Sequence, residues 1–185
     1  LLTGNVTTGV TASSAVPVVS VPETWTPAGH RDVVLVGVKS PLHAVELLES
    51  AGCEVAVPAT QTCCGQPGWN SGDRRSARVL ASKLLDEFGN CDYVVVPSGS
   101  CAGMVRVHYA DVFQGDPYQQ ARAKELAART HELSDFLVNI LKVERVPGKF
   151  AGTVTYHDSC SGLRELGVKT QPRALLAKVP GLELA

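Results

Sequence analysis

Two cysteines stand side by side at Cys63-Cys64, followed by Gly65, and a third closes the segment Pro97-Ser98-Gly99-Ser100-Cys101. Adjacent thiols suit a metal better than a hydrophobic core, because thiolate is the soft ligand that selects iron–sulfur clusters, zinc and Cu(I). Two neighbouring thiolates can contact different irons of one cluster, and Gly65 lets the backbone come close without a Cβ. Gln61, Gly65 and Gln66 make the loop too polar for core. Cys101 falls at the expected start of a helix, where unpaired N–H groups and the helix dipole favour thiolate and sulfide charge. Cys53 and Cys91 stand at strand starts among apolar residues and read as core packing.

Other residues could extend or replace that chemistry. His157-Asp158-Ser159-Cys160 ends an expected strand and opens a Gly-containing turn. Cys160 reads either as a further ligand with His157 behind it or as a cysteine packed at a strand end. A rival reading takes Tyr93–Val96 with Ser98-Gly99-Ser100-Cys101 as the strand–turn–helix shape of a nucleophile elbow. Ser100 or Cys101 would then attack, with His108 or His157 as base, although the spacing brings neither imidazole to Cys101. Ser71 or Asp73 reads as the cap of a helix opening near Asn70, Arg74 and Arg75. His30, His43 and His131 carry no site signal.

These residues need a scaffold, and from His30 the chain alternates between strand and helix patterns. Residues 33–38 are a continuously apolar run, as in a parallel strand buried on both faces. Pro41 opens a helix to about Ser50, with Gly52 just past its end, and residues 53–57 form the next strand. Ala77, Leu80, Ala81, Leu84, Leu85 and Phe88 recur at helical spacing up to Gly89. Residues 92–96 read as a third strand and 102–113 as a third helix. After Gly115-Asp116-Pro117 a helical stretch runs to Leu141 with a break near Thr130, and residues 153–157 read as a fourth strand. The expectation is an α/β fold, a parallel sheet with flanking helices and a site beyond the carboxyl ends of the strands. On that reading Cys63-Cys64, Cys101 and Cys160 follow the second, third and fourth strands and share one sheet edge. A faint repeat relates Pro41-Leu42-His43-Ala44-Val45-Glu46-Leu47-Leu48 and Gly52-Cys53-Glu54-Val55 to Pro172-Arg173-Ala174-Leu175-Leu176 and Gly181-Leu182-Glu183-Leu184.

Composition bounds the rest. The chain has 185 residues, 44% hydrophobic and 19% charged, enough for one domain with a real core or slightly more. A net charge of -1 argues against nucleic acid or an anionic membrane as partner. No run approaches the ~18 apolar residues that would span a bilayer. Six cysteines in a chain of this length, without a signal-peptide pattern, fit free thiols in a reducing cytoplasm better than a disulfide framework. Residues 1–30 are rich in Thr, Ser, Val, Gly and Pro with no charge before Glu23, and read as a flexible or foreign leader with a weak edge strand at 16–21.

Longer motifs add a family resemblance over residues 31–185. Gln61-Thr62-Cys63-Cys64-Gly65-Gln66-Pro67, Asn70-Ser71-Gly72 and Tyr93-Val94-Val95-Val96-Pro97-Ser98-Gly99-Ser100-Cys101 carry it. Glu132-Leu133-Ser134-Asp135-Phe136-Leu137-Val138 and Tyr156-His157-Asp158-Ser159-Cys160 extend it. Together they resemble the cysteine-rich CCG-domain iron–sulfur proteins, most of all their lactate-utilization branch. The glycolate oxidase iron–sulfur subunit and the B subunit of heterodisulfide reductase are relatives in that family.

The resemblance implies an electron-transfer subunit of a multi-protein system that oxidises L-lactate to pyruvate. Its partners would be the other subunits of a lactate utilization complex and electron donor and acceptor proteins. It implies a 4Fe-4S type of cluster, with cubane and noncubane forms both open and zinc the lesser alternative. Two CCG modules in tandem are implied, the first at 31–147 and the second beginning at 148–185. Cys63, Cys64 and Cys101 would be ligands of the first, and Cys160 the early cysteine of the second. Three departures stand out. Val36-Gly37-Val38-Lys39-Ser40 runs into Pro41 without the family's cysteine, Ser98 replaces the first cysteine of a Cys-x-x-Cys, and no second CCG pair occurs before Ala185. The first cluster therefore lacks an expected fourth ligand, as a truncated or frameshifted sequence would. The expectation is weak or absent cluster binding by the chain as given. The rival roles are a non-redox structural or interaction remnant and a thiol-dependent hydrolase using Cys101.

Overall fold

The computed structural model of the protein describes residues 31–35 and 42–185. Its main sheet holds β1 (Arg31–Leu35), β2 (Cys53–Ala56), β3 (Tyr93–Val96) and β4 (Thr130–Glu132), all parallel, in the order β2-β1-β3-β4. Registers such as Arg31↔Cys53, Val33↔Tyr93 and Val94↔Thr130 align their carboxyl ends. The strand order reverses between β1 and β3, the switch point where open α/β sheets place their crevice. A separate parallel pair joins β5 (Gly152–Val154) to β6 (Leu182–Leu184). The α/β expectation holds.

β3 shows why such short apolar runs become strands. Val94 and Val96 enter one buried cluster and Val95 another, so alternate side chains feed cores on opposite faces of the sheet. The first core is closed by α3 (Arg74–Phe88), α5 (Tyr109–Val112) and α6 (Pro117–Ala128), through Leu84, Leu85, Phe88, Val112 and Leu126. The second is closed by α1 (Leu42–Ser50), through Ala44 and Leu48, and by Phe136 and Leu137. The helical stripe on α3 is buried throughout, and Asp73 caps it by accepting the Ser76 N–H at 3.0 Å. Each leucine or phenylalanine buried there contributes roughly 1.5–3 kcal/mol.

Several elements differ from the sequence expectation. The break near Thr130 is a strand, β4, and it supplies the fourth strand of the main sheet. Three residues are too few for a visible period, and β4 exists because β3 offers it a partner and because Thr130 donates to the Leu126 carbonyl at 2.7 Å as α6 ends. The strand expected at 153–157 is β5, which pairs with β6 and not with the main sheet. Cys160 therefore does not follow a main-sheet strand, and the expectation of one shared sheet edge is corrected. The helix after β3 begins early, as α4 (Gly99–Gly103), and passes through a π-helical segment at Met104–His108 before α5. The cysteine loop itself contains a short helix, α2 (Gln66–Ser71). The expected strand at 16–21, the leader at 1–30, residues 36–38 and Pro41 lie outside the described residues.

The faint repeat has a structural counterpart. β1–α1–β2 and β5–α9–β6, with α9 at Thr170–Leu176, each join a parallel strand pair through a helix. Gly52 and Gly181 precede the second strand of each with φ of +84° and +81°. The second unit also inserts α8 (Cys160–Leu166), which packs closely on α4. A Cβ on Gly99 would lie 2.7 Å from the Ser159 Oγ and 3.0 Å from the Gly162 Cα.

Gly99→Ala is expected to push α8 off α4 and to cost ~1–3 kcal/mol in urea unfolding, the usual scale for overpacking. Past β4, in α7 (Leu133–Asp135), the hydrogen bond from His131 leads the effects that hold the Asp135 carboxyl below its usual range. A carboxyl lowered in the folded state stabilises the fold above the unfolded pKa of ~3.9 and loses that contribution as pH falls through the folded value. Asp135→Asn should therefore lower stability at neutral pH and flatten the acid limb of a stability–pH curve measured by denaturant titration.

Candidate functional site

The thiol loop leaves β2 and is fastened at both ends. Before it, Thr60 is tied to α3, its carbonyl accepting from Lys83 Nζ and its hydroxyl donating to Glu87, which pairs with Lys83 at 3.1 Å. After it, the buried Tyr109 hydroxyl donates to the Cys64 carbonyl at 3.0 Å. Burial pushes the Tyr109 phenol well up, so it remains a donor. Gly65 turns the chain into α2 with φ of +84°. A Cβ there would sit 3.2 Å from the Ala77 carbonyl oxygen and 3.3 Å from its Cα, so the close approach that needs glycine is to α3.

The π-helical segment sets which way the next helix faces. Eight residues separate Cys101 from Tyr109, about 80° apart on a regular α-helix. One residue added to a turn, as in a π-bulge, brings them to within about 20° of one face. Both then meet the cysteine loop: Cys101 hydrogen-bonds Cys64, and Tyr109 holds the Cys64 carbonyl.

Cys63 and Cys64, in the loop after β2, thus meet Cys101 on α4. Cys64 is buried at 3% exposure within the first core, and Cys63 and Cys101 pack half-buried against it. Hydrogen bonds to Cys101 and then Cys63 push the Cys64 thiol well above its ordinary value, with burial adding to the rise. Cys101 is held below its ordinary value, first because it accepts from Cys64 and then because Ser98 and Ser100 support it. The Gly65 N–H donates to the Cys63 Sγ at 3.4 Å. Ser98 and Ser100, 3.1 Å apart, stand beside Cys101, so a hydroxyl stands at position 98 where a Cys-x-x-Cys would have a thiol.

Soft donors, a backbone N–H on sulfur and a glycine-tight turn fit an iron–sulfur centre better than a hard cation. Buried polar atoms with no hydrogen-bond partner in the protein, on Gln61 and Thr62, sit in the same loop. Among the described residues no group of three or more His, Cys, Asp or Glu side chains is placed to hold a metal ion, so the three thiols are joined by their own hydrogen bonds and do not form a preformed metal site.

The remaining candidates are placed elsewhere. Cys160 is exposed at the first position of α8, outside the interactions that join the three thiols. His157 is exposed. Cys53 and Cys91 are buried in the two cores, as expected. Asp73 is the cap of α3, and Ser71 donates to the Gly68 carbonyl at 3.1 Å. The nucleophile elbow is not formed. Ser100 and Cys101 lie inside α4, and Lys142 is the only non-glycine residue with positive φ among those described. His108, the candidate base, faces Glu165 at 3.2 Å and lies beside Trp69, with ring centres 6.0 Å apart and planes tilted by 37°. Trp69 and Tyr109 were missed from sequence. Both contacts depend on helix rotation, and the QPGWN run alone hinted at a short helix.

Comparison with known proteins accords with this geometry. Residues 39–106 match the cysteine-rich domain CCG, a span that includes Cys63, Cys64 and Cys101 and ends before Cys160. The chain is 52% identical over 140 residues to the "Lactate utilization protein A" of Geobacillus kaustophilus, covering 76% of this chain and 58% of that protein. The protein of the same name from Halalkalibacterium halodurans is 49% identical over 142 residues, 77% of this chain and 58% of its own length. "Lactate utilization protein A 2" of Bacillus cereus is 42% identical over 140 residues, with 76% and 58% covered. The chain thus spans somewhat over half the length of these relatives. No solved structure matches it.

The anchoring of the CCG loop is open to a direct test. Tyr109→Phe leaves the buried Cys64 carbonyl without its donor and is expected to cost ~1–3 kcal/mol in denaturant unfolding, with faster alkylation of the thiols by iodoacetamide.

Proposed function

We propose that the chain is the iron–sulfur electron-transfer part of a system oxidising lactate, or a closely related 2-hydroxy acid, to the keto acid. The observation that carries this reading is the meeting of Cys63 and Cys64, in the loop after β2, with Cys101 on α4 inside the span that matches the CCG domain. Similarity to proteins named for lactate utilization supports the substrate. The three thiols would hold the centre as thiolates, and an iron–sulfur centre supplies one-electron chemistry. The protein's own part is to fix the thiols: Tyr109 and Gly65 set the loop, α3 and the first core shield one side, and the Gly65 N–H supports sulfur charge. Electrons from lactate oxidation would be received from one partner and passed to another, so other subunits of such a complex and redox proteins are the proposed partners.

The proposed organisation is a first CCG module at 31–147 and the start of a second at 148–185, supported by the β1–α1–β2 and β5–α9–β6 correspondence. Cys160 would be the early cysteine of that second module. Among the described residues no helix is long and apolar enough to cross a membrane.

Anaerobic purification with iron and sulfide added tests the site: with three thiols and no fourth protein ligand among the described residues, the chain is expected to retain less than one full cluster after gel filtration, and the iron it does retain reports on the centre. Cys63→Ser, Cys64→Ser and Cys101→Ser should each remove most of that iron while the chain stays folded by circular dichroism. Iron content unchanged by all three substitutions would sink the assignment. Capture of partner subunits by an iron-free chain would instead favour the non-redox role.

A further inference from the structure

The loop that carries the thiols also carries the only buried side-chain oxygen and nitrogen atoms among the described residues that have no hydrogen-bond partner in the protein. They are the amide Nε2 and Oε1 of Gln61 and the hydroxyl Oγ1 of Thr62. A buried polar group left unpaired costs about 1–3 kcal/mol, so two neighbouring ones are an expensive arrangement for a fold to keep. The surrounding loop offers no easy relief. Thr60 is tied to Lys83 and Glu87, the Cys64 carbonyl is held by Tyr109, and Gly65 is pressed on Ala77. Gln61 and Thr62 lie between these fixed points, immediately before Cys63. Their free donors are an N–H pair and an O–H, the groups that thiolate and sulfide sulfur accept. The neighbouring Gly65 N–H already donates to the Cys63 Sγ at 3.4 Å, so hydrogen bonding to sulfur is established in this loop.

We propose that the Gln61 amide and the Thr62 hydroxyl are positioning donors for the sulfurs of the centre held by Cys63, Cys64 and Cys101, and that they set its reduction potential. The proposal rests on the iron–sulfur reading above. Donors to cluster sulfur stabilise the added negative charge of the reduced state, so removing them makes the potential more negative. In the metal-free chain the same groups are a burden, so replacing them by apolar groups of similar shape stabilises that form.

The test uses the full chain with Gln61→Leu, Thr62→Val and, as the conservative control, Thr62→Ser. Iron and sulfide content, the midpoint potential from an optical redox titration and the melting temperature of the metal-free form are measured for each. The expected result is wild-type iron content with a midpoint shifted to more negative potential in Gln61→Leu and Thr62→Val, restoration of the wild-type midpoint in Thr62→Ser, and metal-free melting temperatures at or above wild type. Loss of iron from a variant whose metal-free form melts at or above wild type supports the same role. An unchanged midpoint in variants that keep their iron, or a lowered metal-free melting temperature, overturns the proposal and leaves the iron–sulfur reading standing. A wild-type chain that takes up no iron overturns that reading and this proposal together.

Discussion

The Tyr109 hydroxyl, buried and bonded to the Cys64 carbonyl at 3.0 Å, joins the thiol loop to the helical layer that covers the sheet. A polar loop can lie on an apolar core only where its backbone groups find partners, because each one left unpaired would cost as much as a side-chain contact gains. This bond meets that requirement where the loop is most deeply buried. It in turn requires Tyr109 to face the same way as Cys101, which the π-helical segment between them allows. The irregular turn is therefore tied to the placement of the thiols.

Around that bond the fold balances rigidity against unsatisfied polarity. Helix α3 serves both sides of the balance. Its apolar stripe closes the first core, while Lys83, Glu87 and the backbone of Ala77 receive the loop at Thr60 and Gly65. On the other side, α4 is held by α8 through a glycine contact that admits no Cβ at Gly99. Cys101 accordingly sits on a short helix braced from both directions. Its place as hydrogen-bond acceptor of the trio, with Cys64 as donor, follows from the deeper burial of Cys64 and from the Ser98 and Ser100 hydroxyls next to Cys101.

Much of this was legible before any coordinates. The stripe of Ala77, Leu80, Ala81, Leu84, Leu85 and Phe88 marked α3, Asp73 was one of two candidate caps, and the apolar runs at 53–57 and 92–96 became β2 and β3 with ends moved by a residue. The thiol trio was legible from residue type and from its place after parallel strands. The three-residue β4 was not, nor was the separate pairing of β5 with β6, which took Cys160 away from the main-sheet edge. A strand that short has no period of its own to read, and its existence depends on which neighbour offers free backbone groups.

The sequence by itself determined the chemistry available to this protein: soft thiols in a polar, glycine-bearing loop, on an alternating strand–helix chain. Those properties reside in residue types and in periods of two and 3.6, which are local. Only the tertiary structure decided that Cys101 meets Cys64, that Tyr109 and Ala77 hold the loop, and that the side-chain polar atoms of Gln61 and Thr62 are buried without protein partners. Each of these depends on the rotation of one helix against another, and a single widened turn rotates a helix face by roughly 100° without leaving a periodic mark in the sequence.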